Sequence, residues 1–562
     1  LNGNLIIRAG GSLTLKNVTL RMNAEQNGQY GISVEEGGSM FIYNCSISST
    51  TKNKFSFVAK GSSFVMRNTE LDGVGWCPTQ GDYFLVSHPD ELSHSGLMVM
   101  TDNATIEDNI FSGNTVGLVM AGSYLTVARN LFINNTVMSL FVYYNHDNTV
   151  VNNTFLQNPA SFGTCLVQLF CTENNTFLGN TLNGNITHFF EYRLIQSLGR
   201  MDGFNVYVSH GNKYLNNNIT VPQIPIFIIH SDDSEIIGNK MNYGEMAVNI
   251  LTGVNTRIEG NEITVIRDPR EFPSDWTGGQ GIAATLAHNS VMANNTITGR
   301  AYSGISLGHT SNSSILNNNI SLTRLGGLET MLGTVVFVGS RNNSVIGNTM
   351  SGSEFGMILT GSSDGNLITQ NNILTDHSIS ITGSSSNRIF LNNLYDFREP
   401  FGGPYDNGMN FWYSGEDGNY WGHFTSRNAE GGGIGDESYT RSVVPPNGIE
   451  PYSLLTPVKI APSPIPQIKP IPRPKVGSKF IEWNIISNQV MEIGWGDFPS
   501  NVTIVNSTLF LGKEGLVRIG CPVSIINSTL INMGYGFSFW GGGSFVIKNS
   551  TIEGAFLDDM NP

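Results

Sequence analysis

A short asparagine-centred motif recurs along the chain at a nearly constant interval. It reads VVNNTF at 150–155 and TENNTF at 172–177, and related hexamers occur at 15–20, 42–47, 504–509, 525–530 and 547–552. Most intervals lie close to 22 residues, and a fixed period of this size is the signature of a repeat architecture. A looser form of the motif is centred on Asn109, Asn130, Asn153, Asn175, Asn217, Asn239, Asn261, Asn295, Asn318, Asn348, Asn371 and Asn392.

The repeat unit predicts an all-β fold. Its short β-branched runs, separated by Asn, Gly and Ser, are too short for a pair of helices. They fit one coil of a right-handed parallel β-helix, in which three short strands each pair with their equivalents one coil further along. Within VVNNTF, strand alternation places Asn153 and Phe155 inward, and Asn152 and Thr154 outward. We expect the inward asparagines to stack into an amide ladder.

Four segments follow from the repeat and its interruptions. Residues 1–400 are expected to form the β-helix with loop insertions, and residues 401–456, rich in aromatics and Gly, a capping segment. Residues 457–478 carry seven prolines, which predicts a stiff polyproline II linker. Residues 479–562 return to the motif and predict a second, short β-helix module. Three or four coils are only marginally stable alone, because each coil needs neighbours to bury its apolar face. We therefore expect this module to dock on a coil end of its own chain or of a neighbour.

Composition narrows the function classes. A net charge of −14 argues against a nucleic-acid-binding protein, which needs basic stripes. No apolar run approaches the length of a membrane-spanning helix. The chain starts at Leu1 rather than Met, which predicts a removed signal peptide and an extracellular location.

Asn-x-Ser/Thr sequons are frequent. Eight of them share the register of the repeated motif (17, 44, 152, 174, 294, 506, 527 and 549), and on glycosylation they would form a stripe of sugar along one edge. The alternative is that Asn and Thr simply suit this turn. The sixteen candidates are Asn17, Asn44, Asn103, Asn134, Asn152, Asn174, Asn185, Asn218, Asn294, Asn312, Asn319, Asn342, Asn501, Asn506, Asn527 and Asn549.

The five cysteines show no CxxC spacing, which excludes the common zinc and redox motifs. Cys165 and Cys171 are close enough in sequence to pair across one turn, and they are our disulfide candidates. The alternative is that both are buried thiols.

The closing segment resembles that of NosD-type periplasmic copper-binding β-helix proteins, whose repeats are also common in archaeal surface proteins. The resemblance rests on GNYWGHF at 418–424, GGGIGDESY at 431–439 and IEPYSLL at 449–455. It implies a carbohydrate-related β-helix and an archaeal source. The family's Asp-rich run looks like a cation loop; here Glu430 and Asp436 remain as calcium-ligand candidates. Copper binding is not expected, because the histidines are scattered without metal-type spacing.

A catalytic role would require carboxylates that converge on a groove. The candidates fall in the insertions, with Arg193 and Arg270 nearby, and the alternative is that they form surface ion pairs. An adhesin would instead use aromatic platforms in the insertions. The carboxylates are Glu191, Asp202, Asp268, Glu271 and Asp275, and the aromatic residues are Trp76, Tyr83, Tyr192 and Trp276.

Taken together, the sequence predicts a secreted, glycosylated β-helix protein without catalysis. It would build a surface layer (S-layer), sheath or filament by head-to-tail self-assembly through residues 479–562. The alternatives are a carbohydrate-active β-helix enzyme (lyase, hydrolase or epimerase) and a polysaccharide-binding adhesin.

Overall fold

The structure is a computed structural model that describes residues 1–76, 94–156, 165–184, 202–265, 279–323, 333–396, 405–415, 417–422 and 453–470. Beyond these it describes the strands of a second unit. The chain divides into two compact units, of which the first ends at Lys469 and the second includes Pro470–Pro562.

The first unit is built from three long parallel sheets. Every described strand pairs in parallel with its equivalent one coil away, so the chain rotates from sheet A to sheet B to sheet C and back. The sixteen strands of sheet A are Leu5–Ile7, Gly31–Val34, Ser56–Ala59, Gly96–Val99, Val116–Met120, Met138–Tyr143, Cys165–Phe170, Asp202–Tyr207, Ile226–Ile229, Met246–Leu251, Gln280–Thr285, Ser303–Gly308, Gly333–Val338, Phe355–Thr360, His377–Thr382 and Tyr405–Asp406. The fifteen strands of sheet B are Ser12–Lys16, Ser39–Tyr43, Ser63–Arg67, Thr105–Glu107, Thr126–Ala128, Thr149–Val151, Thr176–Leu178, Lys213–Leu215, Glu235–Ile237, Arg257–Glu259, Val291–Ala293, Ser314–Leu316, Ser344–Ile346, Leu367–Thr369 and Arg388–Phe390. The sixteen strands of sheet C are Thr19–Met22, Ser46–Ser49, Glu70–Asp72, Ile110–Ser112, Leu131–Ile133, Thr154–Leu156, Thr181–Asn183, Asn218–Thr220, Lys240–Tyr243, Glu262–Val265, Thr296–Gly299, Asn319–Leu322, Thr349–Ser351, Asn372–Thr375, Asn393–Asp396 and Tyr420–Trp421.

The second unit repeats this pattern on a smaller scale. Its three parallel sheets hold four, four and three strands. The strands of the first sheet are Phe480–Ile481, Val502–Val505, Val523–Ile526 and Phe545–Lys548; those of the second are Asn484–Ile486, Thr508–Phe510, Thr529–Ile531 and Thr551–Glu553; those of the third are Val490–Ile493, Leu516–Ile519 and Gly536–Phe539.

The core lies inside the coils, because each short strand points one or two apolar side chains inward. In sheet C the central residues of successive strands include Phe111, Phe132 and Phe155, all fully buried. Their rings stack with centroids 4.7 Å and 4.9 Å apart, which is close to the distance between parallel strands. Similar side chains therefore pack on themselves from coil to coil.

The turn between sheets B and C connects the strands with two residues. The first has a left-handed backbone, as at Asn152 (φ 54°) and Asn294 (φ 55°), and asparagine tolerates this region better than other side chains. The second residue, such as Asn153, turns its amide into the interior. The predicted orientation of Asn152 and Asn153 is thus confirmed, since the first is exposed and the second is 1% exposed.

The described part of residues 401–456 adds one more strand to sheet A and one to sheet C. Trp412 and Trp421 are buried, with ring centroids 5.9 Å apart. Asp406 fixes this arrangement by accepting a hydrogen bond from the indole Nε1 of Trp412 at 2.9 Å. The GNYW segment therefore supplies a large apolar side chain, Trp421, to the interior at the end of the coils.

Candidate functional surfaces

An asparagine ladder follows the turn between sheets B and C. In this B–C ladder each side-chain Nδ2 donates to the Oδ1 of the asparagine one coil further along, over 2.9–3.1 Å. Each Oδ1 also accepts the backbone N–H of the preceding rung, as Asn348 does from Asn318 at 2.9 Å. The rungs are Asn109, Asn130, Asn153, Asn180, Asn217, Asn239, Asn261, Asn295, Asn318, Asn348, Asn371, Asn392 and Asn419.

The predicted ladder was wrong at one rung. Regular spacing placed Asn175 after Asn153, but the structure places Asn180 there, with Asn153 Nδ2 donating to Asn180 Oδ1 at 3.1 Å. Asn175 instead belongs to a second ladder at the turn between sheets A and B, where it accepts from Asn148 Nδ2 at 2.8 Å. The reason is that residues are inserted in this coil, so the interval between rungs grows from about one period to 27 residues.

All eleven sequon asparagines in the described residues are exposed. Nine of them occupy left-handed turn positions, where the side chain projects outward. Glycosylation itself stays a prediction. The eleven are Asn17, Asn44, Asn103, Asn134, Asn152, Asn174, Asn218, Asn294, Asn312, Asn319 and Asn342, and the other five candidates, Asn185, Asn501, Asn506, Asn527 and Asn549, lie outside the residues whose side chains the structure describes.

Eight of the nine left-handed sequons form two columns rather than the single stripe expected from sequence, and the ninth, Asn134, lies between sheets C and A. Asn174 follows a strand of sheet A and precedes one of sheet B, so its place in the predicted stripe was wrong. The B–C turn holds Asn17, Asn44, Asn152 and Asn294, whereas the A–B turn holds Asn103, Asn174, Asn312 and Asn342. The two turns are the two edges of sheet B, so attached glycans would flank that sheet on both sides.

The predicted Cys165–Cys171 disulfide is wrong. Both are buried thiols at opposite ends of one strand, Cys165–Phe170, with Cys171 directly after it. Six residues of extended chain separate their Cα atoms by roughly 20 Å, far beyond the span of a disulfide.

The Pro-rich segment packs against the solenoid over its first part. Thr456–Lys469, which we call the strap, has no regular secondary structure and crosses the outer face of sheet B. Asn393 and Asn317 each hold it by two bonds. Asn317 Nδ2 donates to Ser463 O at 2.8 Å, and Asn317 Oδ1 accepts from Ser463 N at 2.9 Å. Asn393 makes the same pair with Val458, at 2.9 Å and 2.6 Å.

The spacing of these two contacts fits an extended strap. Five residues separate Val458 from Ser463, or about 15 Å of polyproline II chain. Three coils separate Asn393 from Asn317, or about 14 Å of sheet. The two held residues directly follow Pro457 and Pro462, and neither is itself proline, so each keeps the N–H that the asparagine needs.

Apolar contacts complete the strap. Ile465 and Ile468 pack against Val291, Leu316 and Ile346 on the outer face of sheet B. Earlier coils carry charge on this face instead, for example Lys213 and Glu235, whose Nζ and Oε1 atoms are 3.1 Å apart. Sequence reasoning treated residues 457–478 as a spacer and missed this contact. The alternation of prolines with isoleucines was the available signal.

Few of the candidate catalytic and aromatic residues lie within the described part of the chain. Asp202 is fully buried and accepts a hydrogen bond from Ile224 N at 3.1 Å. Trp76 stacks on His94, with ring centroids 4.9 Å apart, and a Cβ on Gly28 would clash with its ring. Trp76 therefore packs against both His94 and Gly28. The other candidates (Tyr83, Glu191, Tyr192, Arg193, Asp268, Arg270, Glu271, Asp275, Trp276, Glu430 and Asp436) lie outside the described residues.

A partly buried lysine lies near these residues. Lys54 Nζ donates to Thr115 Oγ1 at 2.9 Å, between coils. Burial lowers the pKa of Lys54 to about 8, and the charge of Asp72 partly opposes this shift. Burial also raises the pKa of Asp72. Lys54 and Asp72 are thus two partly buried, oppositely charged groups within the first coils.

The described residues hold neither a metal-type cluster nor a membrane-spanning helix. No group of three or more His, Cys, Asp and Glu side chains there is placed to hold a metal ion. Nor is any helix among them long and apolar enough to cross a membrane.

The chain matches two protein families. Residues 202–373 match the family described as "Right handed beta helix region", and residues 85–197 match "Periplasmic copper-binding protein (NosD)". With the three parallel sheets, the first match defines a right-handed parallel β-helix protein, as the repeat predicted. The second match is narrower and agrees with the resemblance of the closing segment. Parts of the chain are thus similar to NosD-type β-helix proteins.

Solved structures resemble the chain in fold alone, and no curated protein matches it significantly. The Dettilon tailspike protein is 13% identical with a TM-score of 0.31, over 68% of this chain and 61% of that one. DFA-IIIase of Arthrobacter chlorophenolicus is 9% identical with a TM-score of 0.37, over 56% of this chain and 87% of that one. PfbA, a surface adhesin of Streptococcus pneumoniae, is 9% identical with a TM-score of 0.28, over 73% of this chain and 84% of that one.

Proposed function

We propose that this protein is an exported, non-catalytic structural component of an extracellular surface layer, sheath or filament. The observation that carries the proposal is the B–C ladder, which continues without a missing rung from Asn109 to Asn419. It persists across coils that differ in length, so the sequence preserves the rigid body and varies the loops. The exposure of every described sequon supports a glycosylated outer surface, and the family's periplasmic description supports export.

Self-assembly is the second part of the proposal. The second unit, like the first, passes through three parallel sheets in a fixed order. Two residues separate each strand of its first sheet from the following strand of its second sheet, as between Val505 and Thr508. A coil of this kind presents strand edges that pair with the edges of another coil. We propose that the second unit of one copy adds to the coils of another, head to tail, so that filaments or sheets grow.

Electron microscopy of the purified protein in negative stain tests the proposal. Regular filaments, tubes or sheets are expected, and isolated rods at all concentrations would contradict it. Deletion of residues 471–562 should abolish assembly while leaving the strap in place. Deletion of 457–562 is a poorer variant, because it also strips Ile465 and Ile468 from sheet B. Normal polymers from the 471–562 deletion would show that another surface makes the joint.

A second candidate function is polysaccharide binding, either in an adhesin or in a carbohydrate-active enzyme. It is favoured by the carboxylates and aromatic residues that the insertions carry, such as Asp268, Glu271 and Trp276.

A further inference from the structure

The first coil of the first unit presents an open end of the apolar core. Its strands Leu5–Ile7, Ser12–Lys16 and Thr19–Met22 are the end strands of sheets A, B and C, so no described strand pairs with them on one side. Five apolar side chains of this coil are only partly buried, namely Leu5, Leu13, Leu15, Val18 and Leu20. The register partners of four of them in the next coil are 0% exposed, namely Ile32, Met40, Ile42 and Ile47. This coil end is therefore an apolar surface bounded by open strand edges.

The last coil of the second unit has the strand spacing of the first coil. Phe545 follows Phe539 by six positions, as Leu13 follows Ile7, and two residues form the next turn in both coils. The sequence repeats without a gap, since GGSFVIKNSTI at 542–552 matches GGSLTLKNVTL at 10–20. The strands that this alignment places on those of the first coil are Gly536–Phe539, Phe545–Lys548 and Thr551–Glu553. All three sheets are therefore in step between the two coils.

The two coil ends also have complementary direction. Each coil of a parallel β-helix pairs through one edge with the coil before it and through the opposite edge with the coil after it. Phe545–Lys548 pairs with the preceding Val523–Ile526 and is the end strand of its sheet, so its open edge faces a following coil. Ser12–Lys16 pairs with the following Ser39–Tyr43, so its open edge faces a preceding coil. Stacking the two ends continues every strand in parallel.

The connecting segment is too short for this contact within one copy. Asn255 Nδ2 donates to Lys469 O at 3.0 Å, which holds the end of the strap at the tenth coil. From there to Phe480 in a second unit stacked on its own first coil is thirteen coil steps, nine back to the first coil and four through the docked unit. That distance is about 62 Å, whereas eleven residues of fully extended chain reach about 40 Å. The occupant is therefore the second unit of another copy.

We propose that the first coil of one copy is the docking surface for the last coil of the second unit of another copy, so that sheets A, B and C continue across the joint. The register places Phe537 beside Leu5, Phe545 beside Leu13, Ile547 beside Leu15, Lys548 beside Lys16, Ile552 beside Leu20 and Glu553 beside Arg21. Apolar positions thus meet apolar positions at the open core end, and of the two charged pairs one is of opposite sign. The inference rests on the proposed self-assembly and names the surface and the register of its joint.

Cysteine cross-linking between copies tests the register. Full-length Thr14→Cys protein is mixed with full-length Val546→Cys protein, so a disulfide between these two positions forms only between copies. The proposed register makes the two positions neighbours in parallel strands, about 4.8 Å apart, which is within the Cα range of a disulfide. Thr14 is exposed, so this change leaves the core intact. The matched control is Ser524→Cys, because Ser524 is the register partner of Val546 one coil further from the joint.

After mild oxidation, a denaturing gel should show at least tenfold more cross-linked dimer with Val546→Cys than with Ser524→Cys. The parent protein, treated in the same way, gives the background from the native cysteines. Equal dimer from both mixtures, or none above background, would overturn the proposed joint. Filaments without this cross-link would keep the structural function and move the joint elsewhere, whereas cross-linked dimer without filaments would keep the joint and contradict the filament.

A charge exchange tests the same register without cysteines. Arg21→Glu places two carboxylates side by side at the joint and should raise the protein concentration needed for assembly at least threefold, since like charges directly opposite destabilise a strand pair. Adding Glu553→Arg to the same chain restores an opposite-charge pair and should restore the parent concentration. Arg21 is exposed, so neither change removes a core contact of the first coil. An unchanged concentration in Arg21→Glu, or no recovery in the double variant, would contradict the register.

Discussion

Asn348 offers a direct measurement of what the B–C ladder contributes. The side chain is fully buried, and its Oδ1 accepts from both the backbone N and the Nδ2 of Asn318, each at 2.9 Å. Its Nδ2 donates to Ile315 O at 2.8 Å and to Asn371 Oδ1 at 3.0 Å. In Asn348→Leu, a change of similar volume, the two donors of Asn318 and the carbonyl of Ile315 lose these partners.

The expected cost follows from those three groups. Each buried group left unsatisfied costs about 1–3 kcal/mol, or about 3–9 kcal/mol for three. Because Asn318 Nδ2 keeps its bond to Met292 O at 2.9 Å, we expect the free energy of unfolding to fall by an amount in the lower part of that range, about 3–6 kcal/mol. Stacked coils do not always unfold in one step, so the local measurement is hydrogen exchange at the Asn318 amide. It should accelerate by a factor of about 100 or more, since 1.4 kcal/mol corresponds to about tenfold.

The control is Asn342→Gly, in the same coil. Asn342 is exposed at a left-handed turn, φ 55°, which glycine adopts without strain, so its effect should stay within about 0.5 kcal/mol. Equal effects from both variants, or a loss below about 1 kcal/mol for Asn348→Leu, would refute the claim that the ladder stabilises the coils.

Three other outcomes are expected. Asn317→Ala should speed hydrogen exchange at the Ser463 amide, because it removes the acceptor of that amide. Asn216→Ala is the control, since Asn216 also has a left-handed backbone (φ 53°) but no described contact with the strap. Equal exchange at Ser463 in both variants would contradict the claim that Asn317 holds the strap. Folding lowers the pKa of Lys54 from 10.5 to about 8, so the unfolded state binds more protons than the folded state between these pH values. The free energy of unfolding should therefore rise by about 3 kcal/mol at most as the pH increases across that window. A pH series of denaturant titrations measures this rise, and Lys54→Met should remove it. Cys165 and Cys171 should react with a thiol reagent after denaturation, without any reductant, and should not react in the folded protein. If the two cysteines reacted only after reduction, the disulfide would be present.

The period predicted the fold because it reports directly on the coil. In a strand of three residues, such as Thr154–Leu156, only the central side chain points inward. Strand alternation was therefore sufficient to predict the inward orientation of Asn153 and Phe155. The left-handed turn likewise restricts its first position to a few residue types, which is why Asn recurs there. Local rules and the global fold agree at these positions.

The surfaces were less predictable, because they depend on which coils come together. Nothing near Asn317 in sequence indicates that it holds Ser463, 146 residues away. The predicted Cys165–Cys171 disulfide failed because closeness in sequence was taken for closeness in space, whereas the segment between the two cysteines is an extended strand.

The ladder position that the repeat interval assigned to Asn175, and that Asn180 occupies in the structure, can be tested directly. If the 22-residue interval decided the pairing, Asn175 would follow Asn153, and Asn175→Leu would release the backbone amide of Asn153. In the structure that amide donates to Asn180 Oδ1 at 2.9 Å, whereas the amide of Asn148 donates to Asn175 Oδ1 at 2.9 Å. We therefore expect Asn180→Leu to speed hydrogen exchange at residue 153 and leave residue 148 protected, and Asn175→Leu to do the reverse. Exchange at residue 153 that responds to Asn175→Leu would mean that sequence interval, rather than coil geometry with its insertion, sets the ladder.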